Sequence, residues 1–262
     1  MNKLKVLVPV KRVLDYQLKP VLNSAKSGIE TTGFKFSINP FDDIAIEEAL
    51  NLQSSLPKGS VTTHAVSIDS NGHCRDILKN CLAKGIQDVT WINTQDTPAL
   101  EPLAIAKILK QFVTEGDYNM VLLGKQAIDD DSNHTGQMLA GLLNWPQLTN
   151  ASKVEVSKEK LDMVTVTSET DQAADQVLNA PLPCVITADL RLNTPRYVSL
   201  PKLMKVKRKP IKELTLNKNF PDIDVSQRLN IVSLNEPELK KPGIVVGSVD
   251  ELITKLKESK LI

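Results

Sequence analysis

One polar stretch of the sequence, from Gly124 to Met138, contains the residue types that bind phosphate groups. Gly124 follows a short apolar segment and would let a backbone approach a ligand closely. Asn133 and Thr135 are favourable caps for the helix that the following residues predict. The free N–H groups and the dipole at such a helix start favour a bound phosphate. A solvated acidic loop before an ordinary capped helix is the alternative interpretation.

Two more polar loops follow apolar segments that are typical of strands. The first loop is Val8–Arg12, and the second is Val66–Gly72. In open α/β sheets, ligands bind beyond the carboxyl ends of the strands. The three loops together therefore predict one ligand site at one edge of a sheet.

The residue pattern argues against several enzyme classes. The sequence contains neither a GxGxxG dinucleotide fingerprint nor a GxxxxGK[ST] phosphate loop. The consecutive residues Asp129–Asp131 rarely converge on one metal ion, and a solvated turn is the favoured interpretation over a magnesium site. We predict no catalytic acid, base or nucleophile and no metal site.

The three histidines have no nucleophile or carboxylate partner at a recognisable spacing. His64 alternates within a predicted strand and suggests a structural role, whereas His73 lies in a predicted exposed turn. His134 lies in the candidate loop and could take part in ligand binding.

Composition and charge limit the partners. The 262 residues carry a formal net charge of +1 and are 41% hydrophobic, so the chain can bury a core but has no strong field for nucleic acid or membranes. We expect no membrane insertion, because no apolar run is long enough to span a bilayer. Cys74, Cys81 and Cys184 are odd in number and form no CxxC pair, which predicts reduced thiols.

The N-terminal two-thirds alternates strand-like and helix-like segments. The predicted strands are Leu4–Val10, Val61–Ile68, Val89–Ile92 and Met120–Leu123. The first predicted helix starts at Pro40, with Asn39 as its cap. The other predicted helices are Cys74–Lys84, Leu103–Val113 and Thr135–Leu143. This order predicts an α/β fold with a doubly wound, mostly parallel sheet.

The pattern changes after Ser152. Lys153–Val156 and Leu161–Thr167 predict an antiparallel pair, and Cys184–Ala188 predicts another strand. Beyond Asn193 periodicity is lost until a final predicted helix at Val249–Lys257. We predict an α/β domain over residues 1–192 with antiparallel additions, and an extended C-terminal arm over residues 193–262.

Four separated blocks of the sequence match one family pattern. They are Val8–Val13 with Asp15 and Tyr16, Asn39–Ala45 with Glu47–Ala49, Gly124–Met138, and Thr187–Asn193 with Pro195–Tyr197, Leu200 and Pro201. They fall in order and cover nearly the whole chain. On these blocks the chain resembles electron-transfer flavoprotein beta subunits.

The resemblance implies an adenine-nucleotide alpha-hydrolase-like fold that holds AMP in a structural role. FAD would lie mainly on a larger alpha subunit, with Tyr16 near the flavin or simply packed in the subunit interface. The implied AMP-binding positions are Pro9, Asn39, Pro40, Phe41, Asp42, Ile68, Gly124, Lys125, Gln126, Ala127, Ile128, Asp129, Asp130, Asp131, Ser132, Asn133, His134 and Thr135.

The resemblance also implies a route for electrons. The chain would be an electron carrier that accepts electrons from acyl-CoA and related dehydrogenases and delivers them to electron-transfer flavoprotein-quinone oxidoreductase. Leu200 matches the leucine with which the family docks on dehydrogenases. The surrounding basic residues, Lys202–Lys212, lack interleaved aromatics and do not favour nucleic acid.

Two alternatives and two departures accompany this interpretation. One alternative is a bifurcating relative with a second FAD in the AMP site, and the other is a free-standing nucleotide-binding stress protein. Glu169–Asp175, including Gln172 and Ala173, replaces the usual Asp-Gly-Gly turn, and His134 replaces a common Gln. We expect the bacterial cytosol as the compartment, with the mitochondrial matrix as the alternative.

Overall fold

Residues 3–95, 97, 100–171, 174–239 and 242–262 are described by a computed structural model. They fall in two units. The larger unit comprises Met1–Pro20 and Thr31–Asn230, and the smaller unit comprises Val21–Glu30 and Ile231–Ile262. The predicted boundary between an α/β domain and a C-terminal arm, at residues 192 and 193, stays a prediction.

Eleven strands are present in the described residues. They are β1 (Leu4–Pro9), β2 (Arg12–Leu14), β3 (Phe36–Ile38), β4 (Val61–Asp69), β5 (Asp88–Asn93), β6 (Met120–Gly124), β7 (Gln147–Val156), β8 (Met163–Ser168), β9 (Gln176–Pro181), β10 (Cys184–Ala188) and β11 (Lys212–Thr215).

The helices are α1 (Pro40–Ser55), α2 (Arg75–Lys84), α3 (Pro102–Gly116), α4 (Thr135–Leu143), α5 (Leu200–Val206), α6 (Leu216–Asn219) and α7 (Val249–Glu258). The predicted helices in the first 143 residues are confirmed, with α2 ending at Gly85, whose φ of 130° few other residues adopt.

Nine of the strands form one sheet with the order β11-β5-β4-β1-β6-β10-β7-β8-β9. The first seven in this order pair in parallel, whereas β8 and β9 are antiparallel. From β1 the chain proceeds outward through β4 and β5 and then returns to β6 on the other side of β1. This reversal between β1 and β6 is a topological switch point, where α/β sheets bind ligands.

Helices cover both faces of the sheet, as the sequence predicts. Along β1, Val6 and Val8 join a core that includes Ile44, while Leu7 joins a second core that includes Leu109 of α3. Successive side chains of a strand point to opposite faces, so a strand buried on both faces is apolar throughout. The doubly wound α/β fold is confirmed.

The antiparallel addition contains one strand more than the sequence predicts. β7 pairs with β8, and β9 then pairs with β8 at the edge of the sheet. Gln172 and Ala173, where the family turn would lie, are outside the described residues, so the effect of the replaced glycines on that turn stays a prediction.

The segment after Asn193 contains regular structure that its sequence does not predict. α5 packs beside α2, and β11 extends the sheet next to β5. Leu216 and Phe220 are buried against the face that carries α3. Elements of four to seven residues show little periodicity of their own, because their burial comes from contacts with distant parts of the chain.

The described residues of the smaller unit contain one bridge, between Leu22 and Ile29, and the final helix α7. Ser248 caps α7 by accepting a hydrogen bond from the backbone N–H of Glu251. None of the described helices is long and apolar enough to cross a bilayer.

Candidate functional site

A cleft lies at the switch point, where the carboxyl ends of β1, β4 and β6 meet. The space between its walls, including open solvent at its mouth, is about 770 Å³. Thirteen of the predicted binding residues line it, namely Pro9, Asn39, Asp42, Ile68, Gly124, Lys125, Gln126, Ala127, Asp130, Ser132, Asn133, His134 and Thr135. The structure therefore brings together all three loops that the sequence indicates.

Five predicted residues do not line the cleft but support its walls. Pro40 and Phe41 form the first turn of α1. The backbone N–H of Ile128 donates to Asn39, Asp129 pairs with Lys11, and Asp131 accepts a hydrogen bond from Gln126. Their contacts are with the protein itself.

Eight lining residues were not among the predicted binding positions. They are Val10, Lys11, Val66, Leu100, Pro102, Ile105, Leu109 and Leu123. Val10, Lys11 and Val66 lie in segments that the sequence analysis predicts as strand-end loops, so their position indicated the cleft, although Val66 lies within β4. The sequence could not identify the residues of α3 as part of the cleft, because an apolar helix face that lines a cleft has the same pattern as one that packs in a core.

Asn39 has a different role from the one the sequence predicts. It is in the cap position of α1, but its side chain makes no cap hydrogen bond. Its amide donates to the carbonyl of Gln126 at 2.8 Å and accepts from the N–H of Ile128 at 3.2 Å. Asn39 is buried and ties the start of α1 to the loop after β6.

Asp42 joins the same two segments through its carboxylate. Its Oδ2 accepts from the N–H of Lys11 at 2.8 Å, and its Oδ1 accepts from the N–H of Gly124 at 3.1 Å. Burial raises the pKa of Asp42 to about 7, although these hydrogen bonds and the charge of Lys11 oppose the shift. A carboxylate buried among backbone donors fixes the relative positions of the ends of β1 and β6.

Gly124 is required for packing within the protein. A Cβ at this position would lie 2.4 Å from Oδ1 of Asp42 and 2.6 Å from Cβ of Phe41. The structure shows a close approach of Gly124 to α1, and the expected close approach to a ligand stays a prediction. The end of β6 and the start of α1 touch because residue 124 has no side chain.

The start of α4 lacks the side-chain caps that the sequence predicts. The cap position belongs to His134, which makes no cap hydrogen bond, and Thr135 is the first helical residue. Asn133 has a φ of 50° and accepts a hydrogen bond from the side chain of Gln137 at 3.0 Å. The first N–H groups of a helix have no partner within it, so these donors at the cleft suit an anion.

The acidic run is occupied by a lysine. Nζ of Lys11 lies 2.8 Å from Oδ1 of Asp129 and 3.3 Å from Oδ2 of Asp130. Burial would lower the pKa of Lys11, but the hydrogen bonds and charges of the two aspartates outweigh burial and raise it. In the described part of the chain there is no group of three or more His, Cys, Asp or Glu residues suited to a metal.

The remaining titratable candidates lie outside the cleft, except for His134. His64 is within hydrogen-bond distance of Tyr118 and Thr90, and burial lowers its pKa to about 4. His73 is exposed. The three cysteines are free and buried, and burial raises the pKa of each thiol.

Tyr16 and Leu200 lie outside the cleft and are exposed. Tyr16 is 68% exposed and lines an open groove together with Phe36, Arg196 and Tyr197. Leu200 is 73% exposed and is the first residue of α5. Both side chains are accessible to a partner.

Comparisons with known proteins converge on one family. A family model described as "Electron transfer flavoprotein domain" matches residues 28–219. The sequence is 58% identical to the "Probable electron transfer flavoprotein subunit beta" of Saccharomyces cerevisiae, over 100% of this chain and 98% of that protein.

Two further relatives come from a plant and a bacterium. The sequence is 44% identical to "Electron transfer flavoprotein subunit beta, mitochondrial" of Oryza sativa subsp. japonica, over 97% of this chain and 98% of the relative. It is also 44% identical to "Electron transfer flavoprotein subunit beta" of Bradyrhizobium diazoefficiens, with the same two coverages. Similarity at these levels extends over nearly the full length of each chain.

We expect Gly124→Ala to lower the free energy of unfolding by about 1–3 kcal/mol, the usual cost of overpacking. The added methyl group would push α1 away from the end of β6. Gly141→Ala is the matched control, because no atom lies within 4 Å of a Cβ there and Gly141 is inside α4. That control should gain about 0.5–1 kcal/mol in a urea titration. Equal effects of the two substitutions would contradict the packing role of Gly124.

We expect Asp42→Asn to change how stability depends on pH. The pKa of Asp42 is about 7 in the folded state and near 3.8 when unfolded, so between these values the folded state binds more protons. The free energy of unfolding therefore loses a contribution as pH rises from about 4 to about 7. This loss should be absent in Asp42→Asn and present in Asp222→Asn, a substitution at an exposed site. Parallel curves for wild type and Asp42→Asn would refute the shift.

Proposed function

The chain belongs to the electron transfer flavoprotein family and is similar over its length to the beta subunits. On this premise we propose that it binds AMP in the cleft and helps an alpha subunit to hold FAD. Members of this family carry electrons. The observation that carries the proposal is the cleft at the switch point, in which the uncapped start of α4 meets apolar side chains of β4 and α3.

The donor set of the cleft suits a nucleoside monophosphate. We assign the phosphate to the start of α4, where Asn133, His134 and Thr135 line the cleft. Helix N–H groups and the helix dipole favour an anion at this position. We assign the adenine to the apolar wall that includes Ile68 and Ile105. Because Asp129 and Asp130 are paired with Lys11, AMP would be held without a metal ion and without hydrolysis.

An alpha subunit is the partner that the exposed apolar residues suit. In the smaller unit, Val232, Leu239 and Val245 are 96%, 97% and 96% exposed, and α7 buries none of its residues. Exposed apolar side chains in such numbers mark a surface that a partner covers. We propose that the alpha subunit covers them.

FAD, when bound, supplies the redox chemistry, and the protein supplies binding and orientation. We place the flavin mainly on the alpha subunit, with Tyr16 of this chain beside it. Packing of Tyr16 in the subunit interface is the alternative. We assign no acid, base or nucleophile of this chain to the electron transfer.

Dehydrogenases would dock at α5. Leu200 offers an exposed apolar side chain, and residues 190–212 contain no aspartate or glutamate. An apolar anchor with a basic surround suits partners with acidic rims, because rim charges steer encounter. We propose that acyl-CoA and related dehydrogenases donate electrons here and that electron-transfer flavoprotein-quinone oxidoreductase receives them.

Two further points concern the alternatives. Membership of the family removes the basis for a free-standing stress protein, while the bifurcating relative remains as the second candidate.

For the compartment we favour the mitochondrial matrix over the bacterial cytosol. Of the three relatives named above, the fungal one is the most similar, and the rice relative is named mitochondrial.

We expect the purified heterodimer with the alpha subunit to contain one AMP and one FAD, and this chain alone to contain no flavin. Asn39→Ala should reduce AMP retention, because the loop that holds the phosphate loses its two hydrogen bonds to Asn39. We expect a loss of about tenfold in affinity, which corresponds to about 1.4 kcal/mol. Heat release followed by mass spectrometry measures both ligands.

Asn119→Ala is the matched control for Asn39→Ala. Asn119 also makes two hydrogen bonds to backbone groups, to the N–H of Lys5 and the carbonyl of Lys3, at the opposite end of β1. It should lower stability to a similar degree and leave AMP retention unchanged. A second FAD in place of AMP would favour the bifurcating candidate. Finding neither nucleotide in the wild-type heterodimer would refute the assignment of the cleft.

We expect Leu200→Ala to weaken docking on a dehydrogenase by about 10- to 100-fold, because burying a leucine contributes about 1.5–3 kcal/mol. Flavin content, AMP content and thermal stability should not change, since the side chain is exposed in this chain. Electron transfer from an acyl-CoA dehydrogenase at varied heterodimer concentration measures the effect.

Leu229→Ala is the control for Leu200→Ala, since Leu229 is 71% exposed but lies outside α5. It should leave the KM for the heterodimer unchanged. If Leu200→Ala acts only in proportion to lost stability or lost flavin, Leu200 is not the anchor.

A further inference from the structure

The segment from Asn193 to Lys209, here called the docking segment, is held by contacts at both of its ends. It contains α5 and therefore Leu200. Its N-terminal end is bound to α1 and its C-terminal end to α2. These contacts join parts of the chain that lie more than 100 residues apart in sequence.

The N-terminal end is bound through two buried carboxylates of α1. Arg196 makes a two-pronged contact with Glu47, with Nε at 2.8 Å from Oε2 and Nη2 at 2.8 Å from Oε1. The side chain of Asn193 donates to Oε2 of Glu48 at 2.9 Å. Burial would raise the pKa of Glu47, but its hydrogen bonds to Arg196 and the charge of Arg196 outweigh burial and lower it.

The C-terminal end is bound by one lysine of α2. Nζ of Lys79 donates to the backbone carbonyls of Val206, at 3.3 Å, Lys207, at 2.9 Å, and Lys209. Val206 is the last residue of α5, Lys207 is in its cap position and Lys209 follows two residues later. An ammonium group has three protons to donate, so Lys79 can bind all three carbonyls. The positive charge also lies at the negative end of the helix dipole. Lys79 thus binds the C-terminal end of α5 and the residues that follow it from a different part of the chain.

Between these ends, α5 separates buried from exposed apolar residues. Val206 is buried and Leu203 packs against the core, whereas Leu200 and Met204 are 73% and 66% exposed. Residues four apart lie on the same face of a helix, so Leu200 and Met204 form one exposed apolar strip. A helix of seven residues is too short to be stable alone, and its shape depends on the contacts that hold its ends.

We propose that Lys79 is a positioning residue for partner docking, which holds α5 in the conformation that presents Leu200 and Met204 together. This inference rests on the proposed docking of dehydrogenases at Leu200. A surface that is ordered before binding loses less entropy on binding. If α5 frays, the affinity falls by the fraction of molecules that still present both side chains.

The test uses the heterodimer with bound FAD and an acyl-CoA dehydrogenase. Lys79→Met keeps an unbranched side chain that is one heavy atom shorter and removes all three donated hydrogen bonds. We expect the KM for the heterodimer to rise about tenfold, equivalent to about 1.4 kcal/mol. The kcat, the flavin content and the AMP content should stay at the wild-type level, because Lys79 touches neither the cleft nor the groove of Tyr16.

Two controls separate positioning from charge and from general damage. Lys79→Arg retains several donors at the helix end and should restore most of the affinity. The effect of Lys79→Met should persist at high salt, since loss of a steering charge would be screened there. A KM effect that disappears at high salt, a failure of Lys79→Arg to restore affinity, or a fall in kcat together with flavin content would overturn the proposal.

Leu200→Ala in the same assay separates the positioning role of Lys79 from the docking of the partner at α5. If Leu200→Ala raises the KM and Lys79→Met does not, α5 docks the partner but Lys79 does not position it. If neither substitution raises the KM, the partner docks elsewhere and the proposed function of α5 fails as well.

Discussion

The contact between the start of α1 and the end of β6 is the constraint on which the rest of the site depends. The buried carboxylate of Asp42 accepts hydrogen bonds from the N–H groups of Lys11 and Gly124. This bond pair brings the ends of two adjacent parallel strands to one helix, and the absence of a side chain at Gly124 leaves room for it. Burial disfavours the charged form of Asp42 and therefore raises the pKa of its carboxyl group.

The cleft follows from that contact. Once α1 is fixed against β6, the side chain of Asn39 holds the loop after β6. It donates a hydrogen bond to the carbonyl of Gln126 and accepts one from the N–H of Ile128. The loop then brings residues 133–135 to the cleft, which residues of α3 also line. A ligand in this cleft would meet both the start of α4 and aliphatic side chains, which suits a molecule with a phosphate group and a flat ring system.

The same helix connects the cleft with the exposed strip of α5. Asp42 lies in the first turn of α1, and Glu47 and Glu48 follow in its next turns, where they bind Arg196 and Asn193. One helix thus contacts both the cleft and the segment that contains the exposed strip, although no side chain of the strip lines the cleft.

The sequence by itself determined the alternation of strands and helices, the three loops at the strand ends and, through four matching blocks, the family. Periodicity and capping residues act over a few positions, so they can be read locally. Tertiary structure alone decided that Asn39 binds a loop rather than caps α1, that Gly124 makes room for Asp42, that α3 forms a wall of the cleft, and that Lys79 binds the end of α5. Each of these depends on groups that are distant in sequence, 82 residues apart for Asp42 and Gly124. A side chain's donors and acceptors do not reveal which distant backbone group they will meet until the chain has folded.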